Sequence, residues 1–314
     1  MRANRLKLFA VLALVLVFPL VAKAADQLFY VGFASRIMIY ALAATSLNLI
    51  LGYAGMVSFG HAAFLGAGAY TVGILMAQGV GSAWLAWPAA MAVSGLLATA
   101  IGAMCLRTRG VYFIMITLAF AQMMYFIVVS MGAYGGEDGL NLAARSSVGF
   151  GIELRDEVTF YYVVALILVG ALFLLQRLVG ARFGRVIEGI RENETRMEAI
   201  GFPTFRFKLA CFAIGGCGAG LAGALLANQN GFVSPSLMQW TQSGTLMIMV
   251  ILGGAGSVLG GVFGAAVYLI LEEVLSAYTI HWQFGLGAVL LAVVLFAKKG
   301  LAGLMPGSAA GPRG

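Results

Sequence analysis

Residues 158–201 read VTFYYVVALILVGALFLLQRLVGARFGRVIEGIRENETRMEAIG. The first half, 158–179, is an apolar run of the length a helix needs to cross a bilayer, about 20 residues. The second half is its opposite: eight charged side chains fall within 182–198, four of each sign. A lipid-length apolar run set against a dense, balanced charge cluster reads as one membrane crossing followed by a segment in water. That reading decides the fold only if the rest of the chain repeats the first pattern.

It does. Of the residues, 61% are apolar and 10% charged, whereas soluble domains carry about a quarter charged residues. Apolar segments of bilayer length recur along all 314 residues, and a β-barrel would show short alternating segments instead. The class is an all-α polytopic membrane protein, and residues 1–314 form a single transmembrane domain. The net charge of +7 belongs to loops on the cytoplasmic side, not to a nucleic-acid partner. Cys105, Cys211 and Cys217 all lie in apolar segments, without metal-ligand spacing, and read as small packing residues.

Apolar spans are marked at roughly 6–22, 29–51, 61–79, 84–106, 111–133, 158–179, 206–228, 241–252, 257–276 and 281–297. The run 241–252 is too short to cross straight and is a candidate half-helix, so eight to ten transmembrane helices are expected. The N-terminal MRANRLK, the apolar run to Val21 and AKA before Ala25 have the form of a secretory signal. They equally form a first helix with its basic end inside. We take the uncleaved helix, because the next apolar segment follows within a few residues. Alternating from there leaves 15 of the 19 basic residues at the cytoplasmic side, with Lys23, Arg36, Arg145 and Arg155 as exceptions. Loop 182–205 is then cytoplasmic, and so are both termini. Loop 134–157 is periplasmic, with Glu137, Asp138, Glu153, Asp156 and Glu157 against two bases.

Two stretches look alike. LGYAGMVSFGHAAFLGAGAY begins at Leu51 and LGGAGSVLGGVFGAAVY at Leu252. Each follows an apolar segment, and each gives L-G-x-A-G before a small-residue helix. Such glycine density disfavours continuous helix, and the freed backbone groups need polar partners or a water-lined cavity. Tyr53, Ser58 and His61 are the side chains placed to help. Internal repeats with glycine-interrupted helices are a transporter pattern; a pair of tight cytoplasmic turns is the plainer reading. Whether the copies are inverted or parallel is left open. The glycines at 215, 216, 218, 220 and 223 read as helix-packing positions.

Several chemistries are excluded. The sequence holds no phosphate-binding G-x-x-x-x-G-K-[ST], no H-E-x-x-H and no C-x-x-C. No metal or cofactor is expected. Ionisable residues within spans are few: Arg36, Glu272, Glu273 and His61. Such groups are costly in lipid and functional by default, so Arg36, Glu272 and Glu273 are candidates for a gate. A solitary ion-coupled transporter would have only the Glu272–Glu273 pair to work with. An enzymatic membrane subunit would need cofactor ligands that are missing.

In the charged run, Glu188 with Arg191 and Glu192 with Arg196 have the i,i+3 and i,i+4 spacing of a surface helix. Ile187, Ile190, Met197 and Ile200 give it a narrow apolar side. Balanced signs argue against anionic lipid as its target. A solvated helix, a helix on the membrane surface and a helix seated in a partner's groove all fit.

The arrangement resembles the permease subunit of an ABC importer, specifically the LivM-type permeases of high-affinity branched-chain amino-acid uptake systems. The resemblance rests on LNLILGYAGMVSFGHAAFLGAGAY (47–70), GRVIEGIRENETRMEAIGF (184–202), FKLACFAIGGCGAGLAGALLA (207–227), GFVSPS (231–236) and MVILGGAGSVLGGVFGA (249–265). It implies a bacterial inner-membrane location and a second, LivH-type permease subunit. It also implies two cytoplasmic ABC ATPase subunits that hydrolyse ATP, so that this chain is itself no enzyme, and a periplasmic solute-binding protein. By the same resemblance the helix within 184–201 is the coupling helix. Its contacts would be Arg185, Glu188, Arg191, Glu192, Asn193, Glu194, Arg196 and Glu198, with Met197, Ile200 and Gly201. The translocation path would run past Tyr53, Ser58, Phe59 and His61, and past Gly253, Gly254, Gly256 and Ser257. The acidic outer loop would receive the binding protein. Relatives of this kind also carry urea, amides or aromatic acids.

Overall fold

The computed structural model describes residues 18–19, 27–142, 144–149 and 154–296. Expectations for most of the first span, for Glu153 and for both termini fall outside the described residues. The other nine expected spans each become a helix. Helix α1 is Leu28–Asn48, continued by a π-helical turn Leu49–Tyr53. Then come α2 (His61–Ala77), α3 (Ala83–Cys105), α4 (Val111–Ser130), α5 (Glu157–Gly180), α6 (Arg182–Glu192) and α7 (Glu194–Ala199). The chain closes with α8 (Thr204–Asn230), α9 (Trp240–Gly253), α10 (Gly260–Tyr278) and α11 (Trp282–Phe296). Among the described residues six helices are long and apolar enough to cross a membrane: α1 with its π turn, α3, α4, α5, α8 and α10. Helices α2, α9 and α11 are apolar but shorter.

Helix α8 is the axis of the bundle, and its glycines explain why. A Cβ at Gly215 would strike Ile50 of the π turn that continues α1, one at Gly216 would strike Ala98 of α3, and one at Gly223 would strike the Leu65 backbone of α2. Three helices therefore approach its backbone from three sides, as lipid-embedded packing requires when burial supplies little drive. Helices α5, α9 and α10 then pack around α1, and α6 lies against α5 and α8.

The two ends of the bundle differ. One carries α6, α7 and the starts of α4 and α8. The other carries the 131–156 connection and a two-stranded antiparallel pair, with Leu140 opposite Val233 and Asn141 opposite Phe232. Arg145 fastens this second end. It donates to the carbonyls of Asn228 (3.1 Å) and Leu154 (2.9 Å), pairs with Glu157, and lies 4.8 Å from the Phe160 ring centre. Glu157 is thus committed internally. Asp156 caps α5, accepting from the Thr159 N–H at 3.2 Å. Of the outer-loop acids within the described residues, Glu137 and Asp138 are the exposed ones without such a task.

A re-entrant break joined to the charged segment

The site is built from the two glycine-interrupted stretches. Helix α1 widens into a π turn, in which Ala54 N donates to the Leu49 carbonyl (3.2 Å) and Met56 N to that of Ile50 (3.0 Å). A π turn interrupts the regular helical ladder and is frequent at functional sites. The Cys211 thiol reaches the Leu49 carbonyl at 3.5 Å, so that cysteine does more than fill space.

The chain then turns back into the protein. Residues 54–60 are not helical, and α2 begins at His61, beside Ser46. Ser46 lies about 10 Å back from Tyr53, where the π turn ends, at 1.5 Å per residue. Backbone without helical partners survives there only if other groups replace them. Phe59 N donates to Thr117 Oγ1 (3.2 Å), and the Phe59 carbonyl accepts from Ser243 Oγ (2.7 Å). Ala62 N donates to the same Ser243 Oγ (2.9 Å), and Gly60 N donates to Ser58 Oγ (3.2 Å). Ser46 spends its one proton on the Ala43 carbonyl (2.7 Å), so it accepts from His61 Nε2 at 2.9 Å. The His61 Nδ1 is then a buried acceptor with no partner among the described residues.

Helix α9 starts at the same depth. Phe59 and Trp240 have ring centres 6.3 Å apart. With 14 residues, α9 rises about 21 Å, short of the roughly 30 Å hydrocarbon core. It is the expected half-helix. Two short helices thus begin side by side inside the bundle, α2 running to one end and α9 to the other.

The second break, 254–259, is a compact turn that touches the first. Asn48, fully buried on α1, donates from Nδ2 to the Ser257 carbonyl (2.7 Å) and accepts at Oδ1 from Gly256 N–H (2.9 Å). Gln242 on α9 meets the Tyr40 hydroxyl at 3.1 Å. Helices α1 and α9 therefore run the same way, and over these stretches the two copies are parallel.

The charged segment reaches this junction directly. Arg191, the last-turn base of α6, donates from Nη1 to the Gly52 carbonyl, at the π turn. Around it lies a cavity of about 610 Å3, lined by 54–57, by Arg109 and Phe113, and by Arg191, Glu194 and Lys208.

Some expectations change here. The single surface helix becomes two, because Asn193 takes an extended conformation and caps α7, accepting from Arg196 N at 2.9 Å. Among the described residues neither the Glu188–Arg191 nor the Glu192–Arg196 ion pair forms. Glu194 instead pairs with Lys208 (2.5 Å) and Arg109 (3.6 Å), and Glu198 with Arg109 (3.8 Å). These partners come from α8 and the α3–α4 connection, which helical spacing cannot reveal. Ile187 and Ile190 are buried within the chain, whereas Ile200 is 64% exposed. Arg185, Glu192, Arg196, Glu198 and Gly201 are also exposed.

Of the candidate path residues, Tyr53, Ser58, His61, Gly253 and Gly254 are buried, and Phe59, Gly256 and Ser257 are partly accessible. None of them lines the 610 Å3 cavity. Their chain neighbours at 54–57 do. The candidate gate lies elsewhere: Arg36 and Glu273 line a separate cavity at the opposite end, and Glu272 does not line it. Asn48, Thr117, Ser243 and Lys208 were missed as site residues. Asn48 carried a legible signal, an amide within a 26-residue span, since a polar group there is costly unless bonded.

Comparison with known proteins converges on one group. Residues 29–297 match the family described as "Branched-chain amino acid transport system / permease component". The chain is 28% identical to the high-affinity branched-chain amino acid transport system permease protein LivM of Salmonella typhimurium, over 95% of this chain and 75% of that one. It is 24% identical to LivH of the same organism, over 84% and 91%. Against the xylose transport system permease protein XylH of Escherichia coli it is 34% identical, over 45% of this chain and 37% of that one. No solved structure matches. The chain is a multi-pass membrane protein that belongs to the family of branched-chain amino acid transport system permease components.

Proposed function

We propose that this chain is one of two permease subunits of an ATP-driven ABC importer for branched-chain amino acids in the bacterial inner membrane. The other permease is a LivH-type chain, two cytoplasmic ATPases bind below, and a periplasmic binding protein delivers the solute. Relatives named LivM and LivH support the pair. The orientation follows from the basic-residue count, which makes the α6–α7 end cytoplasmic.

The observation that carries this reading is the bond from Arg191 to the Gly52 carbonyl. In it, the segment with the exposed charged face is joined to the break in the helices without an intermediary. An ATPase seated on Arg185, Glu192, Arg196 and Ile200 would displace α6–α7 as it closes on ATP. Arg191 would carry that displacement to Gly52. Asn48 would pass it to the second break, so that both breaks move as one body. The re-entrant segment 54–60 sits between α4 and α9, where Thr117 and Ser243 hold it, and its shift would open or seal the path. Charge at the docking face favours register and association rate over raw affinity.

The reading is tested with tagged chain in mild detergent and with uptake by reconstituted vesicles. Replacing loop 184–201 should release the ATPases while the second permease stays bound. Arg191→Ala should keep the ATPases but lower uptake about tenfold or more, since a hydrogen bond to a charged group is worth about 1.5–3 kcal/mol. Wild-type uptake by Arg191→Ala refutes the linkage. A wild-type chain that brings down no ATPase refutes the importer.

A further inference from the structure

At the end opposite α6–α7, a cavity of about 420 Å3 opens beside the start of α1. That volume is within the roughly 300–1,000 Å3 typical of small-molecule sites. Its lining combines features that do not satisfy one another. Arg36 has no carboxylate within ion-pair distance among the described residues: Glu272 of α10 acts on it only from farther off, and its guanidinium rests 5.8 Å from the Tyr40 ring centre. Glu273, on α10, likewise has no cation at that distance. Gln229, near the end of α8, spends its Nε2 on the Gly32 carbonyl (2.6 Å), which leaves Oε1 buried with no donor. The other charges in the lining, Arg145 and Glu157, already neutralise each other. Phe29 and Phe33 form an apolar wall, their rings stacked with centres 6.4 Å apart.

Arg36 and Glu273, the latter exposed, thus have no opposite charge at contact distance, and the buried Gln229 oxygen is unfavourable until a ligand completes it. A simple anion would leave Glu273 unpaired. A simple cation would leave Arg36 unpaired. A neutral sugar would leave both.

We propose that this cavity is an outer binding station for a free zwitterionic amino acid with an apolar side chain. The Arg36 fork takes the α-carboxylate, a geometry guanidinium suits. Glu273 and the Gln229 oxygen take the α-ammonium, and the side chain lies along Phe29 and Phe33. The station is distinct from the glycine breaks: Arg36 is twelve residues from Asn48 along α1, or about 18 Å. This proposal rests on the importer reading above and adds to it a site on the permease itself, separate from the binding protein.

The test is equilibrium binding of radiolabelled L-leucine to the intact permease–ATPase complex in lipid nanodiscs, with the binding protein left out. Saturable binding is expected. Leucinol, which lacks the carboxylate, and 4-methylpentanoate, which lacks the ammonium, should each compete at least tenfold more weakly than leucine. This series uses wild-type protein, so no folding defect can confound it. Arg36→Gln and Glu273→Gln should each weaken binding at least tenfold, and Arg36→Lys less. Equal competition by leucinol overturns the proposal. So does absence of binding in a complex that takes up leucine when the binding protein is supplied; that outcome leaves the importer reading standing. A complete wild-type system that takes up no branched-chain amino acid removes the importer's substrate, and this site with it.

Discussion

The stretches 51–61 and 252–261 start from the same L-G-x-A-G and end in different structures. Both place a glycine at the fifth position in the left-handed region, Gly55 at φ 69° and Gly256 at φ 83°, where a side chain would be strained. Beyond that glycine they part. The second stretch closes as a six-residue turn and resumes helix at Gly260, with Leu259 48% exposed. The first runs inward, buries Ser58 completely and delays its helix to His61. The hydroxyl at position 58 meets the N–H of Gly60; the leucine at the matching position 259 has nothing to offer a buried backbone. A repeat thus keeps its shared corner and specialises the residues after it, one copy as a compact, partly exposed turn and the other as a buried re-entrant segment.

The comparison breaks first if the two copies do not depend on each other. Gly52→Ala tests this with the largest expected effect. A Cβ there would meet the Asn48 amide and the backbone of Gly256, so one added methyl wedges the copies apart. Uptake should fall to background while the chain still inserts, as read by membrane-fraction blotting. Normal uptake would show that the copies need not touch.

Asn48→Ala should come next. It leaves the Gly256 N–H and the Ser257 carbonyl without their partner, at about 1–3 kcal/mol for each buried group left unsatisfied. A lower melting temperature of the detergent-solubilised chain is expected, with uptake reduced about tenfold. Unchanged melting would mean that Asn48 does not brace the junction.

The asymmetry between copies is sharpened by a pair of smaller changes. Ser243→Ala strips support from the Phe59 carbonyl and the Ala62 N–H at once, and should cost about 1–3 kcal/mol and slow uptake severalfold. Leu259→Ala, on the exposed turn, should stay within about 0.5 kcal/mol. If Leu259→Ala proved the more damaging, the assignment of the functionally sensitive copy would be reversed.

Much of this architecture was legible in the chain. Apolar length locates nine helices, because each crossing must satisfy its own backbone in lipid and so announces itself locally. The run 182–198 stands out for the same reason in reverse, since charge at that density cannot lie in hydrocarbon. The glycine pattern marks both breaks, as backbone conformation is a local property. Tertiary structure alone decided what those features touch. Spacing paired Glu188 with Arg191, but the guanidinium found the Gly52 carbonyl, 139 positions away. Asn48 reached across 208 positions to Gly256, and Ser243 across 181 to Ala62. A polar group inside a bundle takes whatever partner the packing brings near, and sequence separation says nothing about which one that is.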